Sequence, residues 1–455
     1  MKAIVFFYAT LHRATKLLII LCTLVCFGAC KGKKAANFDQ DIKKINHVVV
    51  IYMENHSFDN LYGEFEGADG ISNASDSAII QLDDQDKPFT FLPEIPRSSV
   101  FPVNLPNHYF NIDQYVPSDQ EIPDVTHRYY QEIMQINGGK MNKFAFYNHT
   151  KGLAMGHYKT ELLPLVNLAK EYTLCDRFFH SAFGSSFLNH QWLIAAATPI
   201  FPNAPAMHLA KVDSTGRMIS DGTYTPEGYA VNTAYSVNAP HPKGMDSTAL
   251  MPNQKNPTIG DRLSEKNISW AWYSGGWDDA LAGNPDGTFQ YHHQPFIYYA
   301  SFADGTKAKK DHLKDEQEFL AAARKGTLPA VSFVKPLGIN NEHPGYSDVY
   351  HGEKHALELV NAVLNGPNSK DALVIVTYDE NGGFWDHVAP PVVDKWGPGS
   401  RIPAIIISPF AKKGFVDHTQ YETVSILAFI EKRWGLKPLT DRDKNANPLR
   451  NAFEF

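Results

Sequence analysis

Ala372-Leu-Val-Ile-Val-Thr377, running directly into Tyr378-Asp379-Glu380-Asn381, is the stretch on which the reading of this chain turns. An apolar, β-branched run of this length, bounded by polar residues, is the pattern of a strand covered on both faces, as in the middle of a parallel sheet. In open α/β folds ligands gather where such strands end. Here the end carries two adjacent carboxylates, and Gly382-Gly383 then let the backbone turn away. The pattern recurs near the other end of the chain, where Ile45-Asn-His-Val-Val-Val-Ile-Tyr-Met53 stops at Glu54-Asn55. Two strand ends that each offer a carboxylate and a second oxygen donor are candidates to surround one cation.

The rest of the chain supports an α/β reading. Further strand patterns lie at 268–273, 330–334 and 402–408, and helices are expected at 141–147, 162–172, 317–324, 354–365 and 423–433. Strands alternating with helices predict a predominantly parallel sheet with helices on both faces. Residues 64–124 and 204–257 are rich in Pro, Gly, Asp, Ser and Asn without periodicity. They are read as long loops, the first capping the site. Neither a repeat nor a linker divides residues 45–455, which are read as one catalytic domain.

Composition excludes more than it proposes. A net charge of -7, with 43% hydrophobic and 20% charged residues, describes a globular protein and argues against nucleic-acid binding. Residues 1–30 read as an export signal: His12, Arg13 and Lys16 precede the apolar run 17–29, which is short for a membrane span and ends in small residues. Phe27-Gly28-Ala29-Cys30 also resembles a bacterial lipoprotein cleavage box, with Phe27 in place of the usual Leu. Cys30 is then the lipidated residue, residues 31–44 are a tether, and the lipid is the expected membrane contact. Cys175 is the one cysteine within 45–455, so no internal disulfide is available there.

Gly184-Ser-Ser186 opens a further apolar, helical run. A hydroxyl at a helix start is read in two ways: as an N-cap, or as a nucleophile placed where exposed amides favour an anion. A nearby metal would favour the second by lowering the hydroxyl pKa.

Glu54-Asn-His-Ser-Phe-Asp59, Gly184-Ser-Ser-Phe-Leu-Asn189, Phe289-Gln-Tyr-His-His-Gln-Pro295 and Asp379-Glu-Asn-Gly-Gly-Phe-Trp-Asp-His387 together resemble the signature blocks of a bacterial phosphoesterase family. That family comprises phospholipases C and a branch of acid phosphatases, on an alkaline-phosphatase-like α/β fold. Asn137-Gly-Gly-Lys-Met141, Glu342-His-Pro344, Ser400-Arg-Ile-Pro403, Ile407-Ser-Pro409 and Leu439-Thr-Asp-Arg-Asp443 agree in order, so the resemblance runs from about residue 45 to the C-terminus. It implies that Glu54, Asn55, Asp379 and Glu380 hold one divalent metal ion, with Ser186 as a further ligand and the nucleophile. It implies that His127, His343 and one of His292 or His293 bind the phosphate of a phosphate-ester substrate. Asp386 and His387 are expected behind the ligands, although related folds use a similar pair for another metal. An all-oxygen ligand set suits Ca²⁺ or Mg²⁺ better than Zn²⁺.

Competing signatures are absent. Cys175 lacks a sulfatase context, no Gly-x-Ser-x-Gly elbow occurs, and His351-Gly-Glu-Lys-His355 misplaces its Glu for a zinc protease. The expectation is an exported acid phosphatase working through a phosphoseryl intermediate, since Ser at 186 is the resemblance's phosphatase variant and Thr the commoner phospholipase one. The alternatives are a phospholipase C, or a non-catalytic glycan-binding surface lipoprotein.

Overall fold

The computed structural model describes residues 37–455. The expected signal, the lipidation at Cys30 and the first part of the tether lie outside the described residues. The remainder of the tether is structured: Phe38–Asp41 form one α turn and Ile42–Lys44 a 3-10 turn.

From residue 43 onward the chain is organised around an eight-stranded sheet. Its strands are β1 (His47–Met53), β2 (Thr173–Cys175), β3 (Trp270–Ser274), β4 (Leu313–Asp315), β5 (Val331–Lys335), β6 (Ala372–Tyr378), β7 (Ala404–Ile407) and β8 (Phe415–Asp417). They lie side by side in the order β8-β2-β7-β6-β1-β5-β3-β4. β1, β3, β4, β5 and β6 are parallel, β8 is parallel to β2, and β7 runs against both its neighbours. β6 is buried at every position and β1 from Val48 onward, so both pleat faces are covered, as their apolar runs predict. This is the expected predominantly parallel α/β architecture.

Register, rather than proximity in sequence, makes the site. β1 and β6 pair from His47 opposite Ala372 to Met53 opposite Tyr378. The next residues on the two strands are Glu54-Asn55 and Asp379-Glu380, so the two acidic ends emerge side by side. Because β5 is parallel to β1, its last residue, Lys335, leaves at the same edge.

The relevant helices are α1 (Phe58–Tyr62), α2 (Tyr129–Ile136), α3 (Ser186–Ala195), α4 (Glu316–Lys325), α5 (Val349–Leu364) and α6 (Thr423–Trp434). The last three match expected helices within a few residues at each end. All ten residues of α3 are buried, which explains an apolar run with little amphipathic character. His351 and His355 lie in the opening turns of α5.

Two expected helices do not form as read. Residues 141–147 are irregular, and Met141 has φ 57°. The carbonyls that a helix would use internally are taken elsewhere: Met141 accepts from the Trp385 indole at 2.9 Å, and Asn142 from the Leu82 amide at 2.8 Å. Residues 162–172 shorten to Val166–Glu171. The strands β2, β4 and β8 were not anticipated; three residues each are too few to show a period.

Candidate active site

Ser186 is the first residue of α3, and Ser185 occupies the N-cap position without a side-chain capping bond. The capping alternative for Ser186 therefore falls away. Its Oγ lies 3.1 Å from the Asn55 amide oxygen and 3.3 Å from Glu380 Oε1. The turn before it is tightly held. Gly184 has φ 61°, and a Cβ there would come within 2.2 Å of the Tyr129 amide nitrogen. Asn189 braces the turn from one helical turn ahead, its Nδ2 donating to the carbonyls of Gly184 at 2.7 Å and Ala182 at 2.9 Å. Gly382, on the other side of the site, is equally constrained, since a Cβ would meet the Asn55 carbonyl at 1.9 Å.

Asn55 and Asp379-Glu380 from the two strand ends converge, and Ser186, which the resemblance added, joins them. The Asn55 backbone N–H donates to Asp379 Oδ1 at 3.1 Å, and the Glu380 N–H donates to the same oxygen at 2.8 Å. In one orientation of the Asn55 amide, its oxygen faces Asp379 Oδ1 at 3.2 Å and Ser186 Oγ and Glu380 Oε1 at 3.1 Å each. Turned over, the amide nitrogen donates to those three oxygens, and its oxygen accepts from His343 Nε2 at 2.9 Å. The first arrangement gathers four oxygens from four buried side chains, and Asp379 Oδ2 beside them has no hydrogen-bond partner. Such a donor set fits a hard divalent cation. Burial next to Glu54 and Glu380 pushes the Asp379 carboxyl up to about 8, against the pull of Lys335.

Glu54 stands at the margin of this ring. Its Oε1 meets the Lys335 ammonium at 2.9 Å and also contacts His293 Nε2, while Oε2 accepts from the Tyr346 hydroxyl at 3.2 Å. A Glu54 oxygen nonetheless lies within 4.8 Å of ligand atoms from Asp379 and His190. Burial works to raise the Glu54 carboxyl, yet His293 and Lys335 hold it well below the usual carboxylate range. His293 itself is driven down to about 4 by burial. The buried Lys335 ammonium is thus a counter-ion of Glu54, with the His293 imidazole against the same oxygen.

A cavity of about 510 Å³ opens over Ser186 and is lined by His127, His149, His292, His343, Asn232 and Gln290 among others. Of the two adjacent histidines, His292 faces the cavity and His293 turns inward to Glu54. His127 Nδ1 lies 2.6 Å from Glu380 Oε1 and its Nε2 3.3 Å from Asp124 Oδ1. Burial opposes its protonation, but those two carboxylates outweigh it and raise the His127 pKa well above the ordinary value. His343 donates from Nδ1 to the Pro344 carbonyl at 2.6 Å, which leaves Nε2 pointing toward Asn55.

Two residues escaped the sequence reading. Lys335 closes a strand, where a lysine is ordinarily solvated, yet here it is fully buried. His190 lies one turn after Ser186 and donates from Nδ1 to the Ser186 carbonyl at 2.7 Å. Its position at i+4 from the hydroxyl was the available signal.

Asp386 and His387 are not arranged behind the ligands. They surround Arg401, whose Nε donates to Asp386 Oδ1 at 2.8 Å and whose second terminal nitrogen donates to Asp59 Oδ1 at 2.9 Å. His387 Nδ1 meets Asp59 Oδ2 at 2.6 Å. A guanidinium therefore fills the position that another metal would need, so the expectation of an outer shell at the Ser186 site is replaced by a separate ion-pair cluster.

The phosphoesterase family model matches residues 45–437, and the chain belongs to that family. It is similar to the non-hemolytic phospholipase C of Pseudomonas aeruginosa, at 24% identity over 448 residues covering 90% of this chain and 56% of that protein. It is also similar to phospholipase C B of Mycobacterium tuberculosis, at 24% identity over 475 residues covering 94% and 80%. The chain spans little more than half the length of the Pseudomonas relative. Among solved structures it is similar to a protein in the alkaline phosphatase superfamily from Vibrio parahaemolyticus, with 12% identity, a TM-score of 0.35 and 72% of each chain covered. No helix among the described residues is long and apolar enough to cross a membrane.

Proposed function

We propose that this protein hydrolyses phosphate monoesters, as an exported acid phosphatase, through a phosphoseryl intermediate on Ser186. The observation that carries the reading is the Ser186 hydroxyl at the start of a buried helix, within 3.3 Å of Asn55 and Glu380 oxygens and open to a histidine-lined cavity. Asn55, Asp379, Glu380 and Ser186, with Glu54 beside them, would hold the divalent ion; when bound, it supplies positive charge for the phosphoryl oxygens and lowers the serine pKa.

The chain's own groups do the rest. Ser186 Oγ forms the bond to phosphorus as the ester oxygen leaves. The amides of the first turn of α3 and the imidazoles of His292 and His343 favour the equatorial oxygens. His127, protonated between Glu380 and Asp124, is the group suited to give a proton to the leaving oxygen. Water then breaks the Ser186–phosphorus bond and restores the hydroxyl. Monoester hydrolysis is among the slowest uncatalysed reactions, so charge neutralisation and an activated nucleophile are the terms required of the site.

The cavity lining favours a small, polar ester: Arg128, Gln131, Asn232 and Thr233 extend the histidine wall where a lipid would seek apolar surface. The names of the relatives support the second reading, a phospholipase C. Turnover of an aryl phosphate, of its diaryl ester and of phosphatidylcholine, with and without chelator, tests both. Chelator-sensitive hydrolysis favouring the monoester is expected. Faster turnover of phosphatidylcholine establishes the phospholipase reading instead, and no turnover of any substrate overturns both.

A further inference from the structure

Lys335 follows Val334, which pairs with Ile51 of β1, and its ammonium lies 5.4 Å from the centroid of the Tyr52 ring. Nζ also donates to the Met53 carbonyl at 3.3 Å and meets Glu54 Oε1 at 2.9 Å. Taking an ammonium fully out of water costs several kcal/mol, so its presence calls for a compensating charge. The charges around the Ser186 site show what that is. Glu54, Asp379 and Glu380 are buried carboxylates on the ligand side, and Asp124 lies half-exposed at the cavity mouth. Facing the three ligand-side carboxylates from the chain is the Lys335 ammonium on Glu54, while His127 lies between Glu380 and Asp124. Ionised as ligands, the three buried carboxylates carry three negative charges against the one ammonium of Lys335, which leaves two for an ion to meet.

We propose that Lys335 sets the valence of the ion this site accepts, its fixed positive charge matching the remaining carboxylates to a divalent cation and disfavouring a trivalent one. The inference rests on the metal reading above and deepens it, assigning cation selectivity to a side chain that binds no metal. Lys335 acts through Glu54 and through its field, as a positioning residue. Because the ion's energy in that field scales with its charge, removing the ammonium favours a trivalent ion over a divalent one of similar size.

Metal-stripped wild type, Lys335→Met and Lys335→Arg are each titrated with Ca²⁺ and with Tb³⁺ by calorimetry, which reads binding without turnover. In Lys335→Met the ratio of Tb³⁺ to Ca²⁺ affinity should rise by about tenfold or more, and in Lys335→Arg it should stay within about threefold of wild type. Should Lys335→Met fail to fold, Lys335→Gln removes the same charge while keeping a donor for Glu54, and must show the same rise. An unchanged ratio in the neutral variants, with wild type binding Ca²⁺, overturns the role of Lys335 alone. Wild type that binds neither ion overturns the metal site and this inference with it.

Discussion

Two acidic clusters in this molecule are built from the same two stretches of chain and end up with opposite characters. Residues 54–59 and 379–387 contribute Glu54, Asn55, Asp379 and Glu380 to one, and Asp59, Asp386 and His387 to the other. In the second, Arg401 bonds both aspartates at 2.8 and 2.9 Å and uses its remaining terminal nitrogen on the carbonyls of Asp69 and Asp176. Its guanidinium also lies over the Phe58 ring at 4.7 Å. That cluster is charge-matched from within, and its planar fork leaves no position for a ligand. Around Ser186 the chain supplies a lysine and a histidine for four carboxylates and keeps oxygens unpartnered. Acidic residues at strand ends do not by themselves leave room for a cation; what separates the two clusters is whether buried oxygens stay unpartnered.

The sharpest way to break this contrast is Ser186→Ala. It should lower phosphatase turnover by about a thousandfold or more, as loss of a covalent nucleophile does, while the far-UV spectrum and urea midpoint stay near wild type. Near-normal turnover by the folded variant would mean another residue attacks phosphorus. Arg401→Met should do the reverse. Left buried without their counter-ion, Asp59 and Asp386 should cost about 3–5 kcal/mol in urea unfolding. A wild-type urea midpoint in that variant would show that the guanidinium is not what holds the second cluster.

Smaller effects refine the boundary between the clusters. His343→Ala should weaken both vanadate inhibition and kcat/KM about tenfold to a hundredfold, because one hydrogen bond to a charged group contributes roughly 1.5–3 kcal/mol. Unchanged vanadate affinity would remove His343 from the phosphate site. The smallest effect concerns His387. Burial works to lower its pKa, but Asp59 and Asp386 outweigh that and raise it. Its pairing therefore contributes stability in full below the unfolded histidine value of about 6.5, and this is lost as pH rises through the higher folded value. The margin of wild type over His387→Gln in urea should be larger at about pH 5.5 than at about pH 9, and an equal margin at both would show that His387 is not charged in this cluster.

What the amino-acid order settled unaided was the set of long central strands and what stands at their ends. Residues 47–53 and 372–378 are buried on both faces, so their apolar character shows in sequence without reference to anything else. Glu54-Asn55 and Asp379-Glu380 follow directly, and the resemblance named Ser186, His127 and His343 as their companions. The three-residue strands at 173–175, 313–315 and 415–417 were invisible because so short a run, recruited by its neighbour's unpaired backbone, leaves no periodic mark. Residues 141–147 carried a helical pattern that two distant donors, Leu82 and Trp385, overruled by taking its carbonyls. Most of the site's electrostatics was likewise tertiary. Nothing near Lys335 in sequence announces a buried ammonium, and nothing near Asp386 announces Arg401. A charge's partner is chosen by which strands lie side by side, and that register exists only once the sheet has formed.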